Sequence, residues 1–355
     1  MADAFANSIM VDALNRSRAG IVVPGTNTYY ASSQNGTALD DEDDLERWEP
    51  WVRAYTELGE LLQGVVFDMD NPNKNVTVSF AADTGGAWQT HKIASINRPK
   101  HAVFVAQLDL VSNWAVLREE RATEVMAQID PTYAFWSSVV YLHPSRTRWT
   151  MELINVMLQF CVYVEMRFKH ALACWRPVEY SPTIQPMITT PGHGSFPSGH
   201  ATQAHAVAQL LDRLLNLKST TVAGLPMVRD QLRRQAARIA TNRVVAGVHF
   251  PVDSMAGRML GVALADFLVA RCTDGQYHER SFDSAFLNTA TNRSLEFNPF
   301  DPVKQDLDST TSGDLYNKGT QHTLSASSAP AGRSRLLKKM WKMAEDEWAG
   351  RFGHS

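Results

Sequence analysis

Between Ala102 and Cys272 the apolar residues recur at helical spacing, whereas the flanking segments read differently. The run Ala201, Ala204, Val207, Ala208, Leu211, Leu214, Leu215 marks one helix face, and Val252, Met255, Met259, Leu260, Val262, Ala263, Phe267 marks another. The pattern predicts helices near Ala102–Ile129, Pro131–Leu142, Met151–Trp175, Ala201–Leu217, Pro226–Ala246 and Pro251–Cys272, with few strands among them. Residues 1–100 are expected to form an irregular N-terminal cap region. In it the acidic run Asp40–Glu46 opens a helix carrying Trp48, Trp51, Val52, Tyr55 and Leu58, and a solvated face suits those acids better than a calcium site. The alternation Val76, Val78, Phe80, followed by turn residues Asp83–Gly86, predicts a small hairpin within Asn73–Gly86.

The organisation expected is a cap over 1–100, a helical bundle over 101–272, an extended or partly disordered arm over 273–332 rich in Ser, Thr, Asn, Asp and Gly, and a C-terminal amphipathic helix over 333–355. On that last helix Leu337, Met340, Trp341, Ala344 and Trp348 share a face. The stripe is expected to pack on the same fold or on a sister subunit, the latter making a homo-oligomer, rather than on a membrane.

Composition narrows the function classes. A chain of 355 residues that is 44% hydrophobic can bury a large core. Its net charge of −3, with no basic stripe outside Arg333–Lys342, argues against nucleic acid as a partner. The longest apolar stretches, Met151–Met166 and Met255–Cys272, are broken by Glu152 and Glu165 and by Arg258 and Asp266, so no transmembrane segment is expected. No charged start followed by an apolar run stands near Met1, and a cytoplasmic location is expected. Cys161, Cys174 and Cys272 lack metal spacing and read as reduced core residues.

Candidate chemistry lies in three stretches. In the first, Lys169 and Arg176 stand seven apart on what reads as one helix, about 20° apart around its axis, with Pro177 ending it. In the second, Pro197, Ser198, Gly199 and His200 precede a helix, so Ser198 falls at the N-cap and the backbone amides ahead of it can cradle an anion. In the third, Arg243 is followed by His249 and by Asp253, which is placed in a helix first turn to reach back to one ring nitrogen and fix the tautomer. Two histidines, three cations, a hydroxyl and a glycine amide suit a tetrahedral, multiply charged oxyanion.

These blocks, in this order, resemble the superfamily uniting type 2 phosphatidic acid phosphatases, class A acid phosphatases and vanadium-dependent haloperoxidases, over roughly residues 100–272. The resemblance implies a mainly α fold, a helical bundle of the acid phosphatase/vanadium haloperoxidase type. It also implies that Lys169, Arg176, Ser198, Gly199 and Arg243 hold the oxygens of phosphate or vanadate. His200 would be the acid/base, and His249, oriented by Asp253, either the phosphoryl-accepting nucleophile or the apical ligand of vanadate. Asn242 stands where the family pattern has Ser before the Arg, at a position read as peripheral.

Two chemistries remain open within that resemblance. The first expectation is a vanadium-dependent haloperoxidase with vanadate as cofactor and hydrogen peroxide and halide as substrates, Lys169 polarising the peroxo oxygen. His193 favours it, because bromide-type members carry a histidine near the peroxide site; Met166 stands where well-known haloperoxidases place Trp or Arg, and reads as core. The alternative is an acid phosphatase that needs no cofactor and hydrolyses a phosphoester through a phosphohistidine at His249. A non-catalytic phosphate-sensing module would not need both His200 and His249.

Overall fold

The computed structural model describes residues 7–21, 41–71, 74–83, 87–129, 132–219, 222–324 and 334–354. The chain divides into two units, residues 1–44 and 45–355. The first contains helix α1 (Ser8–Ile21). The end of the acidic run forms a short 3-10 helix, Asp44–Arg47, and α2 (Pro50–Leu62) begins separately at Pro50; Asp40 lies outside the described residues. Pro at the first helical position has no amide to leave unpaired, which is why the helix can start there.

Three strands follow: β1 (Val65–Asp70), β2 (Asn75–Asp83) and β3 (Trp88–Asn97), antiparallel in sequence. The alternation at Val76, Val78 and Phe80 thus belongs to the second strand of a five-stranded sheet rather than to a small separate hairpin, and turn residues 84–86 lie outside the described ones. Helices then run as α3 (His101–Trp114), α4 (Arg118–Ala127), α5 (Tyr133–Val140), α6 (Arg148–Leu172), the short α7 (Pro177–Tyr180), α8 (Gly199–Leu214), α9 (Leu225–Val245) and α10 (Pro251–Thr273). The helix expected over Ala102–Ile129 is two helices. At the break, Arg118 donates to the carbonyls of Val245, Gln185 and Ile184 at 2.8–2.9 Å, tying the turn to the α9 end of the bundle.

The segment read as an extended arm contributes β4 (Gln276–Phe282) and β5 (Tyr316–Thr323), so strands are more prominent than the helical pattern suggested. β4 pairs in parallel with β3 through Ala94–Arg280, Ser95–Ser281 and Ile96–Phe282, and β5 pairs antiparallel with β4. The helices α3–α10 therefore lie between two strands that are neighbours in one sheet. Val76, Val78, Phe80, Ile93 and Ile96 are buried in the common core, with Phe80 5.5 Å from the α10 residue Phe267. Fully burying such a side chain contributes roughly 1.5–3 kcal/mol.

Finally α11 (Arg335–Asp346) buries Leu337, Met340, Trp341 and Ala344, and Trp348 beyond it, in that same core. The amphipathic stripe is taken up by the chain's own fold. Glu347 then accepts from the amides of Trp149 and Thr150 at 2.8 and 2.9 Å, closing the open N-terminus of α6. Glu152, which interrupts the apolar run of α6, forms a buried two-point pair with Arg53 of α2.

Helices α8 and α10 come closest where α10 carries Gly257 and Gly261. A Cβ on Gly257 would stand 2.7 Å from the Ser198 carbonyl, and one on Gly261 would stand 2.1 Å from that of Thr202. Only glycine permits this approach, which brings the first turns of both helices together. Cys161, Cys174 and Cys272 are buried free thiols. Among the described residues no helix is long and apolar enough to cross a membrane.

Candidate active site

The three stretches converge on one cavity of about 540 Å³, lined by Lys169, Arg176, His193, Gly199, His200, Arg243 and His249 among others. They do so by a route different from the expected one. α6 stops at Leu172, with Ala173 in the left-handed conformation at its cap (φ 46°), so Arg176 is not on the Lys169 helix. The chain turns back, and Arg176 caps α7 in front of Pro177 instead.

His249 lies just ahead of α10. Its Nδ1 is 2.9 Å from Asp253 Oδ2, and that same oxygen accepts the Phe250 amide at 3.0 Å. Asp253 is therefore at once the helix cap and the partner of the imidazole. An ionised carboxylate there draws the proton to Nδ1 and leaves a lone pair on Nε2. Arg176 Nη1 donates to that Nε2 at 3.0 Å and to the Val248 carbonyl at 2.8 Å, while its Nε donates to the His193 carbonyl and its Nη2 to His193 Nδ1, both at 3.1 Å. Burial and the cations Arg176 and Lys169 hold the His249 pKa well below the usual histidine range, keeping the ring neutral. Burial pushes Asp253 up to about 6, which leaves it ionised at neutral pH.

Arg243, near the end of α9, is buried. Its Nη2 donates to the Val125 carbonyl at 2.9 Å and to Gln128 Oε1 at 3.2 Å, whereas Nε and Nη1 have no partner among the described residues. Two buried, fixed N–H donors on a permanent cation in a cavity wall are what an oxyanion requires. His200 Nε2 lies 2.8 Å from the Gln128 carbonyl, and donation to that carbonyl leaves Nδ1 as the basic nitrogen. Burial, followed by Arg243, lowers its pKa to about 4.

Ser198 is fully buried at the N-cap of α8, where its hydroxyl accepts from the Ala201 amide at 3.4 Å. Lys169 reaches the cavity, but its Nζ donates to the carbonyls of Gly194, Ser195 and Pro197 at 3.2, 3.0 and 2.6 Å. Its donors organise the loop that carries Ser198. Glu165, one turn earlier, is buried beside it with Oε1 accepting from Gln203. Burial raises the Glu165 pKa and lowers that of Lys169.

Three residues change standing. Asn242 is not peripheral: its side chain is buried, donates to Gln128 Oε1 at 3.0 Å and accepts from Arg121 at 3.1 Å. Met166 is half-buried in the cavity wall rather than in the core. Gln128, which pattern reading passed over, holds His200 by its carbonyl and Arg243 by its amide. A polar residue buried at the end of α4 was its one visible signal, and burial is not legible in sequence.

A sequence-family model described as PAP2 superfamily matches residues 149–274, which include all three stretches. Decaprenylphosphoryl-5-phosphoribose phosphatase of Mycobacterium tuberculosis, in two strains, is 35% identical over 83 residues, or 23% of this chain. The chain spans 40% of the length of those curated relatives. Among solved structures, a transmembrane PAP2 type phosphatidylglycerolphosphate phosphatase from Bacillus subtilis aligns with a TM-score of 0.37 at 20% identity, over 47% of this chain and 84% of that one. The curated relatives are phosphatases, so the phosphatase alternative is better supported than the haloperoxidase expected first.

Proposed function

We propose, for a chain whose residues 149–274 are a PAP2 superfamily domain, that it is a phosphomonoester hydrolase working through His249. The observation that carries this reading is the pairing of a neutral, carboxylate-oriented His249 with the two unpartnered buried donors of Arg243. A nucleophile and fixed positive charge for equatorial oxygens are the two requirements of phosphoryl transfer.

In the proposed sequence His249 Nε2 attacks phosphorus and the ester P–O bond breaks. The leaving alcohol takes a proton from His200 Nδ1. His200 holds that proton only weakly on its own, and the negative charge of the bound phosphate raises its affinity for it. Water then attacks the phosphohistidine as His200 takes a proton back, which releases inorganic phosphate and restores Nε2. Asp253 keeps Nδ1 protonated at the start and offsets the charge on the ring as the N–P bond forms. Arg176 and Arg243 hold the oxygens; for this, Arg176 Nη1 exchanges Nε2 of His249 for phosphate oxygen. Ser198 and the Gly199 amide supply further donors at the α8 N-terminus.

The rest of the cavity wall bears on the alcohol. Met126, Ile129, Met166, Met187 and Ile188 line it beside the polar cluster, which suits a phosphomonoester with an apolar organic group. The test is hydrolysis of p-nitrophenyl phosphate and of an alkyl phosphate series. Activity should rise with alkyl length, be inhibited by orthovanadate and vanish in His249→Ala, and acid-labile phosphate should be trapped on wild type only. Bromination of monochlorodimedone that depends on vanadate, peroxide and bromide, without phosphate release, would overturn the reading.

A further inference from the structure

A second cavity, of about 630 Å³, opens where α8, α9 and α10 meet residues 276–280 and 299–308, and it shares no lining residue with the first. Its wall carries Arg213, Lys218, Arg229, Arg233, Arg258 and Arg280. Carboxylates answer only part of this charge, with Asp301 and Asp306 also standing in the wall. Asp266 accepts from Arg213 at 2.9 Å and lies 3.6 Å from Arg280; Asp212 pairs with Arg229 at 2.9 Å. Arg280 also reaches Asp308 at 3.4 Å, which Lys318 shares. Lys218, Arg233 and Arg258 have no carboxylate partner among the described residues. Arg258 is held instead by the carbonyls of Gln305 and Pro299 at 2.7 and 2.9 Å.

A scaffold that needed these side chains only for structure would not bring surplus cations together. Lys218 is depressed by burial and then by Arg213 and Arg229, with Asp212 and Asp266 opposing; Arg233 is depressed by burial and then by Arg229, with Arg258 adding to it and Asp212 and Asp308 opposing, so repulsion among the cations is offset only in part. Two buried nitrogens in the same wall lack partners as well: the Nε donor of Arg280, a residue 6% exposed, and Nε2 of His205, 5% exposed, which donates in one of the two tautomers of the neutral ring. Either group alone would be an ordinary imperfection of packing. Together with a surplus of cations around one cavity they describe a receptor for negative charge.

We propose that this cavity binds a small polyphosphate anion, a di- or triphosphate chain, separately from the oxyanion site at His249. With Lys318 counted among the basic side chains and Asp301 and Asp306 among the carboxylates, seven cations face five carboxylates, and the surplus of two calls for a ligand with at least two negative charges; arginine forks match phosphate oxygens two at a time. The cavity volume is in the range of small-molecule sites. The proposal does not depend on hydrolytic activity at His249.

The test is isothermal titration of the full chain with tripolyphosphate. Wild type should show two binding events, and Arg243→Met should keep the one at the second cavity. The double variant Lys218→Gln/Arg233→Gln removes two side chains exposed enough to leave the core intact; it should lose that event or weaken it at least about tenfold, while Lys218→Arg/Arg233→Lys retains it. Equal affinity for ATP and tripolyphosphate would assign recognition to the phosphate chain itself, and tighter ATP binding would add a base contact near Phe300 and Tyr277. Unchanged tripolyphosphate binding in the Gln double variant, or binding no tighter than that of sulfate, would overturn the proposal.

Discussion

Replacing Arg243 by Met separates the cost of holding a charge from its use. In the protein Nη2 donates to Val125 and Gln128, but Nε and Nη1 are buried with no partner among the described residues. Truncation leaves the Val125 carbonyl without that donor, a loss of about 1 kcal/mol, whereas Gln128 Oε1 keeps the Asn242 amide. Against this, two unsatisfied buried donors, each costing about 1–3 kcal/mol, disappear, and a buried cation that Glu124 offsets only from beyond salt-bridge distance gives way to an apolar chain of similar reach. By that sum the variant should be more stable in urea than wild type, by about 1–5 kcal/mol. Phosphate ester hydrolysis should fall by roughly 10²–10³, the loss seen when one fixed oxyanion donor is removed. Phosphate at about 100 times its dissociation constant should stabilise wild type by about 2.7 kcal/mol, and the variant at the same concentration by little or nothing. Full retention of that stabilisation, or a collapse in stability of about 4 kcal/mol with activity per folded molecule unchanged, would refute the assignment of Arg243 to the oxyanion.

Other expectations follow from the same geometry. Asp253→Asn removes the carboxylate charge and lets an NH₂ donor face the His249 ring, so the tautomer is no longer fixed and kcat should drop by roughly 10³–10⁴. For His200 the folded pKa of about 4 lies below the unfolded value near 6.5, so its contribution to stability is present above about 6.5 and is lost as pH falls toward 4. His200→Gln should gain up to about 3 kcal/mol on wild type in unfolding free energy between about pH 7 and pH 4, measured by urea titration at each pH; parallel curves would mean that the ring is not held neutral. Asp253, raised to about 6, runs the other way, its contribution being lost as pH rises from about 4 to about 6, which is why the comparison must be with the His200 variant. Gly261→Ala places a methyl 2.1 Å from backbone, so α8 must move; a loss of about 1–3 kcal/mol or more and a fall in activity are expected, and an unperturbed melting curve would contradict the close approach.

The bundle was legible because its helices are long and periodic, and the boundaries of α8, α9 and α10 fall within a few residues of those the pattern predicts. The chemistry-bearing residues were legible for a different reason. Ser198, His249 and Asp253 sit at helix starts, where local sequence dictates geometry. Arg176 shows the limit of that logic: helical spacing put it beside Lys169, but a left-handed Ala173 ends the helix, and the two meet only because the loop folds back. Lys169 was legible as a cation of the site, yet its burial and the carbonyls that occupy it, on residues 25–28 positions away, were not. Strands β4 and β5 were invisible, since Gln276–Phe282 is mostly polar and its partner lies in β3, before the whole bundle.

That last pairing bears on how the chain comes to its native state. Ser95 and Ser281 face each other across β3 and β4 with their hydroxyls 2.9 Å apart, although the entire bundle separates them in sequence. At equilibrium so long a loop costs little more than a short one, since each doubling adds only about 0.6 kcal/mol. In time it costs more, because such distant ends must find each other before any ladder bond rewards the search. The antiparallel pairs β1–β2 and β2–β3 and the contacts within the bundle can form early from near neighbours, while the β3–β4 seam closes last, over helices already in place.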